Sequence, residues 1–185
     1  MQPDALVPVQ SPDGGPVIAF PAALASQAAR FLATAPYDPR ALLVDAVLEV
    51  EPSPGRVLAR LDTTRPLPFV DAQRGPPDLH PRHVNGGVMV HLTGVLGLLH
   101  AWFVLGLRFD EGWIGFGGRI HRAEFRALAR LGPPLELELV ETRRREGADR
   151  CVVRYDFTYT QAGVRCYVGD QTATWLRGPL ARAGS

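Results

Sequence analysis

The residues best suited to chemistry lie just before the longest uncharged stretch of the chain. Histidine exchanges protons near neutral pH, so His80 or His83 can serve as a general base toward water or toward an acidic carbon. His83 is the stronger candidate because it lies two residues from Asn85. The Asn85 amide can hold a water molecule or a carbonyl oxygen, and the same side chain can instead cap a helix.

A helix start at Asn85 would add a second chemical feature. Gly86, Gly87 and Val88 would present unpaired backbone N–H groups there, and the helix dipole favours a developing negative charge. Glycine also lets a carbonyl group approach the backbone closely, and the alternative role of the pair is helix entry against a sheet. These three residues are therefore candidates for an oxyanion site.

The uncharged stretch from Asn85 to Gly106 predicts one helix of about 20 residues, roughly 30 Å long. Asparagine is a preferred N-cap and glycine suits the C-terminal end. Apolar residues on nearly every face predict a helix that is buried all round. A membrane span is the alternative, and His91, Thr93 and His100 inside the run count against it. On a buried helix such side chains more often satisfy core hydrogen bonds than act in catalysis.

Alternating apolar and polar residues predict strands on both sides of this helix. Two precede it and form a hairpin, and four follow it in an antiparallel meander: residues 42–51, 57–62, 113–126, 135–142, 151–160 and 164–176. Gly117-Gly118 predicts a bulge in the first of the four. Five prolines between 65 and 82 predict a long ordered loop or lid.

The remaining segments divide the chain into three parts. Residues 1–20 contain four prolines and little periodicity, which predicts an irregular arm, and 21–33 predict a short helix. The expected units are an arm with its helix at 1–36, a main domain at 37–177 and a tail at 178–185. A length of 185 residues suits one such domain.

Composition narrows the functional classes. All 20 cationic side chains are arginine and stand against 19 acidic ones, so no broad field for nucleic acid or anionic membrane is expected. Cys151 and Cys166 are better explained as buried thiols than as a disulfide. The N-terminus lacks the features of a signal peptide, which predicts a cytoplasmic protein. No metal-ligand spacing and no Gly-x-Ser-x-Gly motif occur, so neither metal nor cofactor is expected.

An antiparallel sheet wrapped around one apolar helix would bury all these elements together, an α+β arrangement. From Leu42 to Trp175 this order resembles the hotdog architecture. The segments LLVDAVLEVEPSPGRVLARLDTTRPLPF and GRIHRAEFRALARLGPPLELELVETRRREGADRCVVRYDFTYTQAGVRCYVGDQTATW resemble the opening and closing strands of beta-hydroxyacyl-ACP dehydratases. Those enzymes carry an acidic residue inside the helix, where this chain has Leu92.

The segment before the helix is similar to that of another hotdog family. Arg82-His-Val-Asn85 resembles the His-Phe-Asn segment of type III long-chain fatty acyl-CoA thioesterases, and Pro36-Tyr37 resembles their Pro-Tyr pair. The resemblance implies functional roles for Tyr37 and Asn85. Tyr37 would donate to the thioester oxygen, or else cover the core edge. Two further functional positions of that family do not carry over, because Gly94 and Pro77 stand near them here.

These observations favour an acyl-thioester hydrolase that acts on a fatty or polyketide acyl group. The group would be carried by coenzyme A or by the phosphopantetheine of an acyl carrier protein. Thr93 and the run Arg143, Arg144 and Arg145 are the expected substrate contacts, the arginines through phosphates or an acidic carrier surface. The same arginines can instead be exposed strand faces.

Two other functions stay open. The first is a 3-hydroxyacyl-thioester dehydratase or a lyase that adds a nucleophile to an enoyl thioester, with Asp110 or Glu111 supplied by a partner copy. The second is a non-catalytic acyl-binding domain, whose mark would be a closed tunnel with His83 and Asn85 pointing away from it. A homodimer or higher homo-oligomer is expected in each case, since pairing hides exposed strand edges.

Overall fold

The computed structural model describes residues 5–12 and 14–178. Eight strands form one sheet in the order β1-β2-β3-β4-β6-β7-β8-β5, and every neighbouring pair is antiparallel except β2 and β3. The elements in chain order are β1 (Leu6–Gln10), β2 (Val17–Pro21), α1 (Ala25–Thr34), α2 (Pro39–Leu42), β3 (Ala46–Glu51), β4 (Arg56–Leu61), α3 (Gly86–Phe103), β5 (Trp113–Phe125), β6 (Leu135–Glu146), β7 (Arg150–Gln161) and β8 (Val164–Arg177).

The predicted central helix is confirmed as α3. Its first turn is capped by Asn85, whose Oδ1 accepts a hydrogen bond of 2.8 Å from the Gly87 N–H. Gly106 has a φ of 68°, and just after it the Leu107 N–H donates to the Ala101 carbonyl at 2.9 Å. The helix is long and apolar enough for a membrane span, but 67% of it is buried inside the protein. It is therefore the core helix that the sheet encloses.

The strand predictions agree with the structure in position. β3 and β4 form the first hairpin, and β7 and β8 form another through Ala162-Gly163. The register of β5 against β8 shifts between Gly117 and Arg119, which confirms the predicted bulge. β6 continues to Glu146, so the three consecutive arginines belong to a strand.

The predicted four-stranded meander is wrong in one respect. Only β6, β7 and β8 follow one another in the sheet, whereas β5 pairs with β8 at the far edge. The connection 126–134 carries the chain from that edge back across to β6 beside β4. Periodicity identifies a strand and its buried face, but it does not select the neighbour with which the strand pairs.

The predicted irregular arm is also wrong for much of its length. β1 and β2 form an antiparallel hairpin in which Val9 lies opposite Ile18, and Ala19 pairs with Ala46 of β3. Pro8 is compatible with this hairpin because β1 is the outermost strand, and prolines are tolerated at a sheet edge. Residues 1–4 and 13 lie outside the described part.

The short helix predicted at 21–33 is confirmed as a turn of 3-10 helix followed by α1. Its buried residues are Ala28, Phe31 and Leu32, and the Phe31 ring packs 5.8 Å from that of Trp102 on α3. Of the predicted tail, only Gly178 is described. Cys151 and Cys166 are both buried free thiols, in agreement with the favoured interpretation.

Candidate functional site

A cavity of about 260 Å³ lies between α3 and the two strands β5 and β8. Tyr37 and Phe116 are 48% and 42% exposed and mark its outer part, whereas Thr93, Tyr155 and Trp175 are buried and mark its inner part. The lining is mostly apolar and comprises Pro36, Tyr37, Thr93, Gly94, Gly97, Leu98, Ile114, Gly115, Phe116, Gly117, Tyr155, Phe157, Gln171, Thr172, Ala173 and Trp175. An apolar cavity of roughly 150 Å³ accepts benzene, so this one has room for a larger organic group.

Glycines keep this space open. Gly94 and Gly97 lie on α3 where it faces β5 and β8, and a Cβ at Gly94 would meet no other atom. On β5, a Cβ at Gly115 would overlap the Trp175 ring. Glycine at 115 therefore lets the indole lie against the strand and form one wall of the cavity.

A small polar cluster lies on the cavity wall where α3 meets β8. Thr93 Oγ1 lies 2.7 Å from the Val90 carbonyl and 2.9 Å from the Gln171 side-chain amide, which in turn lies 3.3 Å from the Tyr167 hydroxyl. A threonine hydroxyl carries one proton, so it donates to one of its two neighbours. Gln171 Oε1 accepts from Thr93 when the hydroxyl turns toward it, and Gln171 Nε2 donates one of its two N–H groups to the Tyr167 hydroxyl. Gln171 then keeps one N–H available to a ligand in the cavity.

Tyr37 reaches this cavity from the segment before α2. The following Asp38 accepts a hydrogen bond from the Arg40 N–H and caps α2, which fixes the local backbone. The Tyr37 ring packs edge to face on His91, with centroids 5.7 Å apart. His91 Nε2 donates to the Ala41 carbonyl at 2.7 Å, so its Nδ1 is the nitrogen able to accept a proton.

The two predicted catalytic histidines lie in the loop before α3 and do not line the cavity. The Gln73 side chain bonds the backbone N–H and carbonyl of His83 at 3.1 and 2.8 Å. His83 Nδ1 donates to the Pro81 carbonyl at 2.9 Å, which leaves Nε2 as its basic nitrogen. The ring centroids of His80 and His83 are 5.0 Å apart. The loop thus brings the two histidines together.

The predicted oxyanion residues form the first turn of α3. The Gly87 N–H donates to the Asn85 side chain, and the Val88 N–H donates to the Asn85 carbonyl at 2.9 Å. Phe125 packs so closely over Gly86 that a Cβ there would lie 2.9 Å from its ring. Two of the three expected donors are therefore used within the helix start, and none of these residues lines the cavity.

A buried polar cluster lies at the other end of α3. The Tyr155 hydroxyl lies 3.2 Å from His100 Nδ1, and His100 Nε2 lies 3.1 Å from Glu141 Oε2 without an aligned hydrogen bond. Burial, and to a lesser degree the charge of Arg144, lowers the pKa of His100 to about 3. Burial raises the pKa of Glu141 and of Tyr155. The neutral imidazole thus accepts a hydrogen bond from the tyrosine hydroxyl at Nδ1, and its protonated Nε2 lies beside the carboxyl group of Glu141.

The charged residues named from the sequence separate into two groups. Arg144 pairs with Glu141 at 3.2 Å, whereas Arg143 and Arg145 line a depression on the outer face of the sheet. Asp110, considered as an acid supplied to a partner copy, accepts a hydrogen bond of 2.7 Å from Arg30. Within the described ranges, no group of three His, Cys, Asp or Glu side chains is arranged to hold a metal ion.

Of the predicted residues, Tyr37 and Thr93 lie together at the cavity, whereas His80, His83, Asn85 and the arginines do not line it. The sequence reasoning did not identify Gln171. A signal for it exists in the sequence, because Gln171 is a polar residue that alternates along β8 with Gly169, Ala173 and the buried Trp175 and so lies on the same inward face.

Comparison of the sequence with family models and with curated proteins gives no match. Solved structures do match. The dehydratase heterocomplex ApeI:P from Xenorhabdus doucetiae has a TM-score of 0.55 and 12% identity, over 83% of this chain and 92% of that chain. AziG from S. sahachiroi has a TM-score of 0.50 and 20% identity, over 74% and 94% of the two chains. Thioesterase HI1161 from Haemophilus influenzae has a TM-score of 0.49 and 18% identity, over 77% and 85%.

These neighbours are hotdog-fold proteins, and the chain itself has the hotdog fold, an antiparallel sheet around one long helix. The predicted fold class is thereby confirmed. Thioesterases and a dehydratase both occur among the neighbours. At identities of 12 to 20% the likeness defines the architecture and does not select one reaction.

Proposed function

We propose that this protein binds an acyl thioester with its acyl group in the cavity between α3, β5 and β8, and hydrolyses it. One observation carries the proposal: a mostly apolar cavity contains a polar cluster of Thr93 and Gln171 on one wall. An apolar pocket with a few convergent polar groups is the usual form of a small-molecule site. The acyl carrier is coenzyme A or the phosphopantetheine of an acyl carrier protein.

In this proposal the thioester carbonyl lies beside Thr93 and Gln171. The free N–H of Gln171 donates to the carbonyl oxygen as negative charge develops on it, and the Tyr37 hydroxyl is a second donor near the mouth. Water attacks the carbonyl carbon, the C–S bond breaks, and the thiolate takes up the proton that the water loses. The products are a carboxylic acid and a free thiol.

The helix start is the alternative place for the carbonyl. His83 would then act as general base, with His80 beside it, and Asn85 would orient the water. Gly94 lies nine residues after Asn85, which is about 13 Å along the helix at 1.5 Å per residue. An acyl chain of that reach would run from the helix start into the cavity.

Non-catalytic acyl binding is the second candidate function. It is favoured because the described lining of the cavity contains no histidine, aspartate or glutamate that could act as a general base. The same observation weakens the dehydratase and conjugate-addition alternatives. Proton removal beside a carbonyl needs such a group as well, and Asp110 and Glu111 are already paired with Arg30.

The test is to incubate the protein with octanoyl, crotonyl and 3-hydroxyoctanoyl thioesters, and to follow free thiol and enoyl absorbance. We expect thiol release from octanoyl thioester. Gln171→Leu should lower turnover about a hundredfold or more, the lower end of what one oxyanion donor contributes. Gln27→Leu, on the exposed face of α1, is the matched control.

Each other outcome has a defined meaning. Enoyl change without thiol release would replace hydrolysis by lyase chemistry. Tight acyl binding without either signal would leave the binding function alone.

A further inference from the structure

The outer face of the sheet carries a row of arginines in direct cross-strand register. Arg143 of β6 lies opposite Arg154 of β7, Arg154 lies opposite Thr172 of β8, and Thr172 lies opposite Arg119 of β5. Neighbouring strands are about 4.8 Å apart, so three of the four side chains in this row repel one another. Like charges directly opposite each other destabilise a sheet.

The protein itself offsets only part of this charge. Arg154 makes two hydrogen bonds to Asp170, and this contact, with smaller effects of His121 and Arg122, lowers the pKa of Asp170. Among the described residues, no carboxylate bonds to Arg119, Arg143 or Arg145.

Two other arginines of the same sheet have carboxylate partners. Arg56 bonds to Glu49, Glu51 and Glu138, and Arg144 pairs with two glutamates. Arg143, Arg145 and Arg154 differ from the remaining arginines of the sheet because they line one common depression.

This region is concave. A depression of about 270 Å³ is lined by His121, Arg143, Arg145, Val152, Arg154 and Thr172. His121 Nε2 and Thr172 Oγ1 are 2.9 Å apart at its side. Around the depression five arginines stand against two aspartates, which leaves three net positive charges: Arg119, Arg122, Arg143, Arg145 and Arg154 against Asp156 and Asp170.

We propose that this depression binds a phosphate-bearing ligand with two or more negative charges. Arginine matches the geometry of phosphate oxygens through its planar fork of donors, and a phosphate monoester carries about −1.5 to −2 charge near pH 7. Such a ligand would remove the repulsion within the row Arg143, Arg154 and Arg119. Its source is either the nucleotide end of coenzyme A or a free nucleotide.

The assignment of the ligand to coenzyme A rests on the proposed function, the hydrolysis of an acyl thioester. Thr172 contributes both to this depression and to the cavity on the other side of β8. A thioester in the cavity and a nucleotide in the depression would thus be bound next to the same strand. A carrier-protein phosphodiester, with a single charge, matches the net charge less well.

The test is calorimetric titration with coenzyme A, 3′-dephospho-coenzyme A, adenosine 3′,5′-diphosphate and pantetheine. The variant is Arg143→Gln with Arg145→Gln. Arg60→Gln with Arg165→Gln removes two exposed arginines on β4 and β8 that do not line the depression, and serves as the charge-matched control. We expect coenzyme A to bind about tenfold or more weakly to the first variant, since a charge-assisted hydrogen bond contributes about that factor.

The four probes separate the two sources. Coenzyme A that binds more tightly than adenosine 3′,5′-diphosphate assigns the site to the thioester carrier, and equal affinity assigns it to a free nucleotide. Affinity of the first variant equal to that of the wild type, or an equal loss in the control, would overturn the proposal. So would the absence of wild-type binding to every phosphate probe.

Failure of the site can be separated from failure of the proposed hydrolysis and from misfolding. Hydrolysis of an N-acetylcysteamine thioester, which has no phosphate, should not change in the first variant. The melting temperature of that variant should stay level or rise at low salt, because the substitutions remove like-charge repulsion.

Discussion

At Gly94 the central helix has no side chain where it faces the cavity, and an added Cβ would meet no other atom. We expect Gly94→Leu to fill the space where the acyl group is proposed to lie. The protein should keep its melting temperature, because leucine is a better helix former than glycine by up to about 1 kcal/mol. Acyl affinity measured by calorimetry should fall at least tenfold in Gly94→Leu. The affinity of Gly94→Ala should lie between that of the wild type and that of Gly94→Leu. Undiminished affinity in Gly94→Leu would place the acyl group elsewhere.

His100 gives the fold a dependence on pH. Its pKa lies near 3 in the folded protein against 6.5 ordinarily, so the unfolded chain takes up this proton first as the pH falls. The contribution to stability is complete above about pH 6.5 and is lost through the window down to about pH 3. Between about pH 7.5 and about pH 5 the loss is about 2 kcal/mol. Glu141, whose pKa burial raises, acts in the opposite direction at lower pH.

Urea unfolding at several pH values measures this effect. His100→Gln should flatten the dependence between about pH 7.5 and about pH 5, whereas the exposed His121→Gln should retain it. An unchanged slope in His100→Gln would show that another group takes up the proton.

At the level of single residues, the sequence pointed to two residues of the candidate cavity. Tyr37 and Thr93 were predicted, and both line the cavity. Gln171 was not, because an inward polar residue on a strand becomes meaningful only when the strand's neighbour across the core is known. That neighbour is Thr93, 78 positions earlier in the chain.

The elements themselves were largely predictable, because each depends on local periodicity. α3 was recognised from its uncharged length, and β3, β4, β7 and β8 from their alternation. The position of β5 beside β8 was not predictable, since it depends on which edge remains free after the other strands have paired. The hairpin of β1 and β2 was hidden by prolines that an edge strand tolerates.

The start of α3 allows a test of whether Asn85 has only a structural role. Asn85→Ala should lower the free energy of unfolding by about 1 kcal/mol, the usual cost of losing an N-cap, and Asn85→Ser should restore it. If the side chain only caps, turnover in Asn85→Ser should stay within about twofold of wild type. A tenfold loss of turnover in the stable serine variant would instead assign the amide to the reaction.

For the whole molecule, the exposed edge β5 is the expected contact between two copies. Ile120 and Phe125 on this strand are 52% and 55% exposed, and a partner strand would remove this apolar surface from water. We expect a homodimer in which the two β5 strands pair and the partner covers these side chains. Ile120→Asp should give a monomer by light scattering after size-exclusion chromatography. Val164→Asp, which alters an equally exposed apolar residue at the start of β8, should not.

The hairpin of β1 and β2 affects whether such a dimer can add further molecules by strand pairing. It occupies the side of β3 that would otherwise be open, and it closes that side with a strand of only five residues containing Pro8. A short edge strand that contains a proline pairs poorly with a strand of another molecule. If β5 pairs with β5 of a second copy as expected, the resulting dimer would offer no further edge for strand addition. The N-terminal segment would in this way protect the protein from fibre formation.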